Sequence, residues 1–305
     1  MNIPKDLVSV IVVSLEKGPM LARCLDSIVS QAHKALQCFI FLNKADEKLA
    51  DEWRASYKGF DFVACPDNEL YCRPMNKGIA RCDGDFILCL NDDVVLSPDY
   101  IKYVLEAMGR DKRIGSVSGC LLREDKVTLD STGFLWDRSR KPHDRGYGKK
   151  MRPAYKKDGY IFGANGAAAF YRRSMLQAIK HNGEYFDERF GFYYEDLDLA
   201  WRAHKQGWLA YYCSSAVAYH RRGGTAHSSG DVGPVYRFMR HKAFTRISPE
   251  LAARLIRNRH AMILKNDRLS RFLIDLPWIL FYELRIYLYL LFFRRNVLKQ
   301  ILRHP

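Results

Sequence analysis

The sequence predicts an α/β protein built on a parallel sheet with helices on both faces. Two observations carry that reading. Through the first half, apolar runs of buried-strand length alternate with segments whose apolar residues recur at helical spacing. Three of those runs also end abruptly on polar residues, at Ser14, Asn43 and Asn91. In such sheets ligands sit beyond the carboxyl ends of the strands, where strand order reverses, so functional groups are expected just after Val13, Leu42 and Leu90.

The elements follow in order. VSVIVVS at 8–14 is a continuous apolar run and reads as a buried strand. Pro19 suits the first position of a helix that presents Met20, Leu21, Cys24, Leu25, Ile28 and Val29 at helical spacing. Strands are predicted at 38–42 and 61–64, a short helix at 74–81 and a fourth strand at 85–90. Ser97-Pro98-Asp99 starts a helix with Ile101, Val104, Leu105 and Met108 on one face, and Gly109 stops it. The second half is mixed. It reads as a strand at 114–122, a polar loop-rich stretch at 123–158, a small-residue strand at 161–171, a helix at 195–206 ended by Gly207, and a last strand at 208–220. Residues 221–234 hold four glycines with Ser and Thr, the composition of a mobile loop.

Charge divides the chain. Of the net +15, a surplus of 11 lies in residues 237–305, where 15 Lys and Arg face 4 Asp and Glu. We therefore divide the sequence into a main domain, 1–236, and a basic, aromatic-rich helical tail, 237–305, that meets something anionic. Within it, 272–293 (FLIDLPWILFYELRIYLYLLFF) is apolar but interrupted by Asp275, Pro277, Glu283 and Arg285, and flanked by Arg268, Arg271, Arg294, Arg295 and Lys299. A clean membrane span tolerates few such interruptions. The pattern fits better a pair of amphipathic helices lying in the interface of an anionic membrane. Packing on the main domain, or on a second copy in a homodimer, is the other reading. Eight cysteines without a C-x-x-C pair read as reduced thiols. With no leader pattern at the start, the expected location is the cytoplasm, peripheral at the inner face of the plasma membrane.

Three places carry chemistry. Asn91-Asp92-Asp93 puts adjacent carboxylates directly after a buried strand, where they are costly unless they hold a cation or start a turn. A divalent ion bridging two phosphates needs one or two carboxylates from the protein. At Tyr193-Tyr194-Glu195-Asp196-Leu197-Asp198 three carboxylates crowd the first turn of a helix. Asp198 is four residues from Arg202 and is accounted for as an ion pair. Glu195 and Asp196 remain beside aromatic surface, where a carboxylate pKa can rise enough for proton abstraction. His220 ends the last strand and precedes Arg221-Arg222-Gly223-Gly224, which makes it a candidate metal ligand with arginines near phosphate charge.

Together these segments resemble the family 2 glycosyltransferases, in particular the bacterial rhamnosyltransferase-like branch. The matching pieces are VSVIVVSLEKGPMLARCLDSI at 8–28, LCLNDDVVLSPDY at 88–100, GANGAAAFYRRSML at 163–176, FDERFGFYYEDLDLAWRAHKQGW at 186–208, and His220 with its Arg-Arg-Gly-Gly. The resemblance spans roughly residues 7–225. It implies a GT-A fold, a Rossmann-like nucleotide-binding sheet with a mixed second half. It also implies an inverting transfer of a sugar, rhamnose being one candidate, from a nucleoside-diphosphate donor to a saccharide acceptor, lipid-linked, in surface polysaccharide or lipopolysaccharide synthesis. Asp93 would hold Mg²⁺ or Mn²⁺ with His220 helping, and the metal would stabilise the departing diphosphate. Asp196 of the Glu195–Asp196 pair would deprotonate the acceptor hydroxyl. Ser14, Glu16, Asn43, Arg73, Lys77, Asn91 and Asp92 would meet the donor, Asn165, Gly166 and Trp208 the acceptor, and Arg221 and Arg222 phosphate. Two positions depart from the family pattern. Asn91 replaces the first Asp of the D-x-D signature, and Asn43 stands where an Asp often reads a pyrimidine, leaving thymidine, uridine and guanosine donors open.

Two other classes compete. A nucleotidyltransferase or phosphohydrolase would usually carry a glycine-rich phosphate loop, and neither G-x-x-x-x-G-K-[ST] nor G-x-G-x-x-G occurs. A nucleic-acid-binding protein is suggested by charge alone, but the basic residues interleave with long aliphatic stretches suited to lipid, so no nucleic-acid partner is expected.

Overall fold

A computed structural model describes residues 6–15, 17–141, 143–222 and 247–303. The chain forms two compact units, one of Met1–Leu135 with Asp144–Arg221, the other of Trp136–His143 with Arg222–Pro305. The expected boundary at 236/237 lies outside the described residues.

The first unit runs β1 (Val8–Ser14), α1 (Pro19–Val29), β2 (Leu36–Asn43), α2 (Glu47–Ser56), β3 (Phe60–Cys65), α3 (Cys72–Arg81), β4 (Phe86–Asn91), β5 (Val94–Leu96), α4 (Tyr100–Met108), β6 (Ile114–Arg123) and β7 (Leu129–Ser131). Two-residue strands β8 (Phe134–Leu135) and β9 (His143–Asp144) follow, then β10 (Gly159–Ile161), β11 (Ala168–Arg172), α5 (Arg173–Ala178), α6 (Glu195–Lys205) and β12 (Leu209–His220). The sheet order is β10-β12-β6-β11-β4-β1-β2-β3, with β5 on β12 and β7 on β6. Strands β3, β2, β1 and β4 are parallel; β11 is antiparallel to both β4 and β6. The nearly continuous apolar runs of β1 and β4 are buried because helices cover both faces. All eight cysteines are buried free thiols.

Three local differences from the sequence reading have physical causes. Helix α2 buries only Ala50 completely, so it carries no apolar stripe to announce it; Asp46 starts it by accepting from the Leu49 N–H. The strand predicted over 161–171 is split, because β10 pairs with β12 while β11 inserts between β4 and β6. Residues 162–167 between them form a loop. The stretch 123–158 is not all loop, since β7 adds to the edge of β6.

The second unit contains α7 (Pro249–Asn266), α8 (Leu269–Phe293) and α9 (Arg295–Arg303). A helix pair is not what forms: α8 is one 25-residue helix that runs through Pro277. Its two interior acids are neutralised rather than left to break it. Asp275 accepts from Arg138 at 2.6 Å and Arg140 at 2.8 Å, and Glu283 accepts from Arg259 at 2.7 Å and faces His260 at 3.1 Å. Arg259 is 1% exposed and also donates to the carbonyls of Arg140 and Ser139, which ties residues 136–143 to the helices. Ile279, Tyr282, Ile286, Tyr289 and Leu290 fill the inner face of α8. The opposite face exposes Leu269, Leu273, Ile274, Trp278, Leu280, Phe281 and Leu284, and α8 is long and apolar enough by length and composition to cross a membrane.

Removing one partner from a buried ionic network leaves the others desolvated and uncompensated, at about 3–5 kcal/mol. Arg259→Leu should therefore lower the thermal midpoint and open residues 136–143 to limited proteolysis. Unchanged stability and protection would show that the network contributes nothing.

Candidate active site

The first half of the site forms where strand order reverses. Strand β1 has β2 on one side and β4 on the other, and the register Val13↔Asn91 sets the ends of β1 and β4 side by side. The buried Ser14 hydroxyl there donates to Asp92 Oδ2 at 2.6 Å. The chain turns at Asp92 and Asp93, and β5 then pairs antiparallel with the end of β12, Val94 opposite His220. The Arg221 N–H donates to the Asp93 carbonyl at 3.1 Å and locks that turn. Backbone pairing thus brings the Asp93 Oδ1 atom within 3.2 Å of His220 Nε2.

The other ring nitrogen of His220, Nδ1, lies 2.7 Å from Asp130 Oδ2. Asp130 is fully buried on β7 and has no counterpart in the sequence reading. Nothing in a polar stretch marks one Asp among several; only the ladder β7-β6-β12 makes it a neighbour of His220. Burial lowers the His220 pKa, but the Asp130 and Asp93 carboxylates outweigh it and push it up to about 9.

A divalent ion fits between Asp93 and His220. Two ligand atoms on adjacent octahedral positions, with bonds of about 2.1 Å, stand about 3 Å apart, close to the separation found. An imidazole whose second nitrogen meets a carboxylate is the usual setting of a metal-bound histidine. Among the described residues there is no group of three or more His, Cys, Asp or Glu able to hold an ion, so phosphate and water would complete the shell.

The second half is the start of α6. Tyr193 and Tyr194 both adopt left-handed backbone, at φ of 67° and 74°, a cost of about 1–3 kcal/mol each. Glu195 is buried, its Oε2 atom has no hydrogen-bond partner, and burial with the adjacent Asp196 charge raises its pKa well above the usual range. Asp196 is half-buried. Its Oδ2 accepts from the Gly166 N–H at 2.9 Å and its Oδ1 from the Leu197 N–H at 2.8 Å. Burial raises its pKa to about 6 although the Gly166 N–H opposes the shift, and the Asp144 charge adds to the rise. A Cβ at Gly166 would stand 3.0 Å from Asp196 Oδ2, so glycine permits this close approach. Asn165 donates to Asp144 and accepts from the Ala167 N–H. The Ala167 carbonyl in turn accepts from the Asn91 N–H at 2.9 Å, joining the two halves. Asp198 and Arg202 form the ion pair assigned to them, at 2.9 Å.

The remaining candidates separate. Asn43 is buried, donates to the Leu70 carbonyl and accepts from the Glu69 N–H, so its amide holds a turn instead of standing open to a base. Arg73 pairs with Glu188 and Lys77 with Glu69, both near the surface. Arg221 is exposed, 3.9 Å from Glu124, and Arg222 belongs to the second unit. Trp208 stands at the other end of β12 from His220, its N–H donating to the Ala203 carbonyl near the end of α6 at 3.1 Å. It precedes β12 at Leu209, which pairs with Ile114 at the start of β6, while His220 pairs with Arg123 at its end. The nine register steps along β6 put the start of β12 roughly 30 Å from His220. Glu16, Gly223 and Gly224 lie outside the described residues.

Residues 9–180 match the family model Glycosyl transferase family 2. The chain is 25% identical over 252 residues to the N-acetylglucosaminyl-diphospho-decaprenol L-rhamnosyltransferase of Mycobacterium tuberculosis (strains CDC 1551 / Oshkosh and ATCC 25618 / H37Rv), covering 74% of this chain and 78% of that one. It is 27% identical over 226 residues to an N-acetylglucosaminyltransferase of Mesorhizobium japonicum, 70% of this chain and 51% of that one. In fold it is similar to the crystal structure of GalNAc-T7 with UDP, GalNAc and Mn²⁺, with a TM-score of 0.57 and 12% identity over 75% of this chain and 45% of that one. Asp196 and His220 lie beyond the matched family segment, so their places rest on the geometry above.

The folded pKa of His220 lies above the unfolded value of 6.5, so its contribution to stability is complete below about pH 6.5 and is lost as pH rises through about 9. In chelator, the thermal midpoint should fall across that window, by the equivalent of at most about 3 kcal/mol. A flat profile would mean that His220 is not held as an imidazolium between the two carboxylates.

Proposed function

The chain belongs to glycosyl transferase family 2 and has its GT-A fold, and from that premise we propose an inverting, metal-dependent transfer of a sugar from a nucleoside-diphosphate donor to a hydroxyl of a lipid-linked saccharide. The observation that carries the mechanism is the pairing of Asp93 with His220, 3.2 Å apart, at the switch point of the sheet. These two residues would hold Mg²⁺ or Mn²⁺, which when bound neutralises charge on the departing diphosphate. Ser14, Asn91 and Asp92 line the donor side, and Arg73 and Lys77 trade their carboxylate partners for donor charge. Asn43 acts indirectly, by fixing the turn at 69–70.

Asp196 takes the proton of the acceptor hydroxyl. The new bond forms between that oxygen and the anomeric carbon as the bond from that carbon to phosphate breaks. A carboxylate with a pKa near 6 is largely ionised at neutral pH yet basic enough to accept a proton. The Gly166 and Leu197 N–H groups aim it, while burial and the Asp196 charge raise the Glu195 pKa well above the usual range, favouring its neutral form. Asn165 and Gly166 form the acceptor side. The names of the relatives favour L-rhamnose or N-acetylglucosamine as the sugar and a polyprenyl-diphosphate saccharide as acceptor.

Helix α8 supports attachment to the inner face of the plasma membrane. Its outer face is apolar and aromatic, and Arg268, Arg271, Arg295 and Lys299 are exposed near its ends for anionic headgroups. It lies in the interface instead of spanning, because Asp275 and Glu283 are held by arginines inside its own unit.

Asp196→Asn should cut turnover by about 10²–10⁴-fold with donor binding retained. A dead Glu195→Gln beside an active Asp196→Asn would reverse the two roles. Asp93→Ala and chelation should each abolish transfer, with Mg²⁺ or Mn²⁺ restoring the chelated wild type; full activity in chelator would remove the ion from the reaction.

Replacing Leu273, Phe281 and Leu284 together by Ser alters only exposed side chains. The variant should leave phosphatidylglycerol vesicles while still glycosylating a soluble acceptor. If the wild type ignores vesicles and the variant drops from dimer to monomer, the face joins two copies of the chain instead.

A further inference from the structure

We propose that Asp130 is a positioning residue for ion binding, fixing the His220 ring so that Nε2 faces Asp93 Oδ1 and turns its lone pair to the ion when its proton leaves. This rests on reading Asp93 and His220 as the ion's ligands. Asp130 is fully buried, and a buried carboxylate is retained at high cost unless a partner compensates it. Its Oδ2 atom is 2.7 Å from His220 Nδ1, the nitrogen turned away from Asp93. The contact is set by backbone ladders. Strand β7 pairs with β6 through Leu121↔Ser131, and β6 pairs with β12 through Arg123↔His220, so neither side chain has to be ordered by a mobile segment.

The consequence is a fixed tautomer. With Nδ1–H donating to Asp130, the ring cannot rotate or move its proton without leaving that carboxylate buried beside a bare lone pair. An incoming cation therefore displaces only the Nε2 proton, while Nδ1–H stays on Asp130 and the ring's angular freedom is already spent. A polar stretch with no recognised motif thus supplies the third member of an Asp93–His220–Asp130 line.

The test measures Mn²⁺ affinity by electron paramagnetic resonance, with uridine or thymidine diphosphate present and no sugar transfer required. Asp130→Asn should weaken Mn²⁺ binding 10–100-fold. His220→Ala should weaken it at least as much, and the double variant should lose no more than His220→Ala alone, because Asp130 acts through the ring. Additive losses, or an Asp130→Asn protein with lowered thermal stability but wild-type Mn²⁺ affinity, would overturn the proposal. If Asp93→Ala weakens binding and His220→Ala does not, His220 is no ligand and the proposal falls while the Asp93 site stands. If none of the three moves affinity, the metal reading itself fails. Should Asp130→Asn not fold, ¹⁵N resonances of the wild-type ring with Mg²⁺ and the diphosphate decide: protonated Nδ1 and unprotonated Nε2 are expected, and the opposite tautomer contradicts the role.

Discussion

The arrangement depends on one short antiparallel pairing. Strand β5 has three residues, yet by meeting the end of β12 it turns the chain after Asp93 back toward His220. Without it the two side chains would lie on strands separated by β11 and β6. A parallel sheet gathers polar groups at its carboxyl edge, but along that edge they are spaced by the strand separation, about 4.8 Å for neighbours and more beyond. Folding β5 across the edge collapses that spacing to 3.2 Å. The buried Asp130 braces the same point from behind.

The start of α6 is built on strain and close approach instead of pairing. Two consecutive tyrosines in left-handed backbone deliver Glu195 and Asp196 at the first turn of α6, where free backbone N–H groups favour a carboxylate. Burial works against the charge. The outcome differs for the two neighbours because only Asp196 receives an N–H from across the site, at Gly166. Burial and the Asp196 charge push Glu195 well above the usual carboxylate range, while Asp196 rises to about 6. The bond from the Asn91 N–H to the Ala167 carbonyl links this loop to the carboxylate turn, so the two halves of the site share one backbone frame.

How much of this was legible in the sequence follows from the range of the interactions. Strand-length apolar runs at 8–14 and 85–90 and the polar residues following them are local signals, and they mark the reversal of strand order at β1 and β4. The Asp198–Arg202 pair is likewise local, four residues apart on one helix. Asp130 is not, since its partner is 90 residues away and reached through two strand ladders. Trp208 is the last residue of a matching segment, yet a 12-residue strand separates it from His220, a distance that the segment alone does not show. Asn43 shows a third limit, because a buried amide at a strand end suits a ligand and a backbone turn equally well until its partners are seen. In the second unit, Asp275, Pro277 and Glu283 look like breaks in a helix, and α8 continues because Arg138, Arg140 and Arg259, remote in sequence, neutralise both acids.

The central claim is that Asp93 and His220 hold one divalent ion at the switch point of the sheet. Anomalous diffraction at the manganese edge, from crystals grown with Mn²⁺ and a nucleoside diphosphate, reads this directly. The account predicts one peak within about 2.2 Å of both Asp93 Oδ1 and His220 Nε2, with phosphate oxygens completing its shell. A peak bound to Asp92 but not to His220, or a diphosphate seated at the β1–β4 edge with no peak beside it, would contradict it.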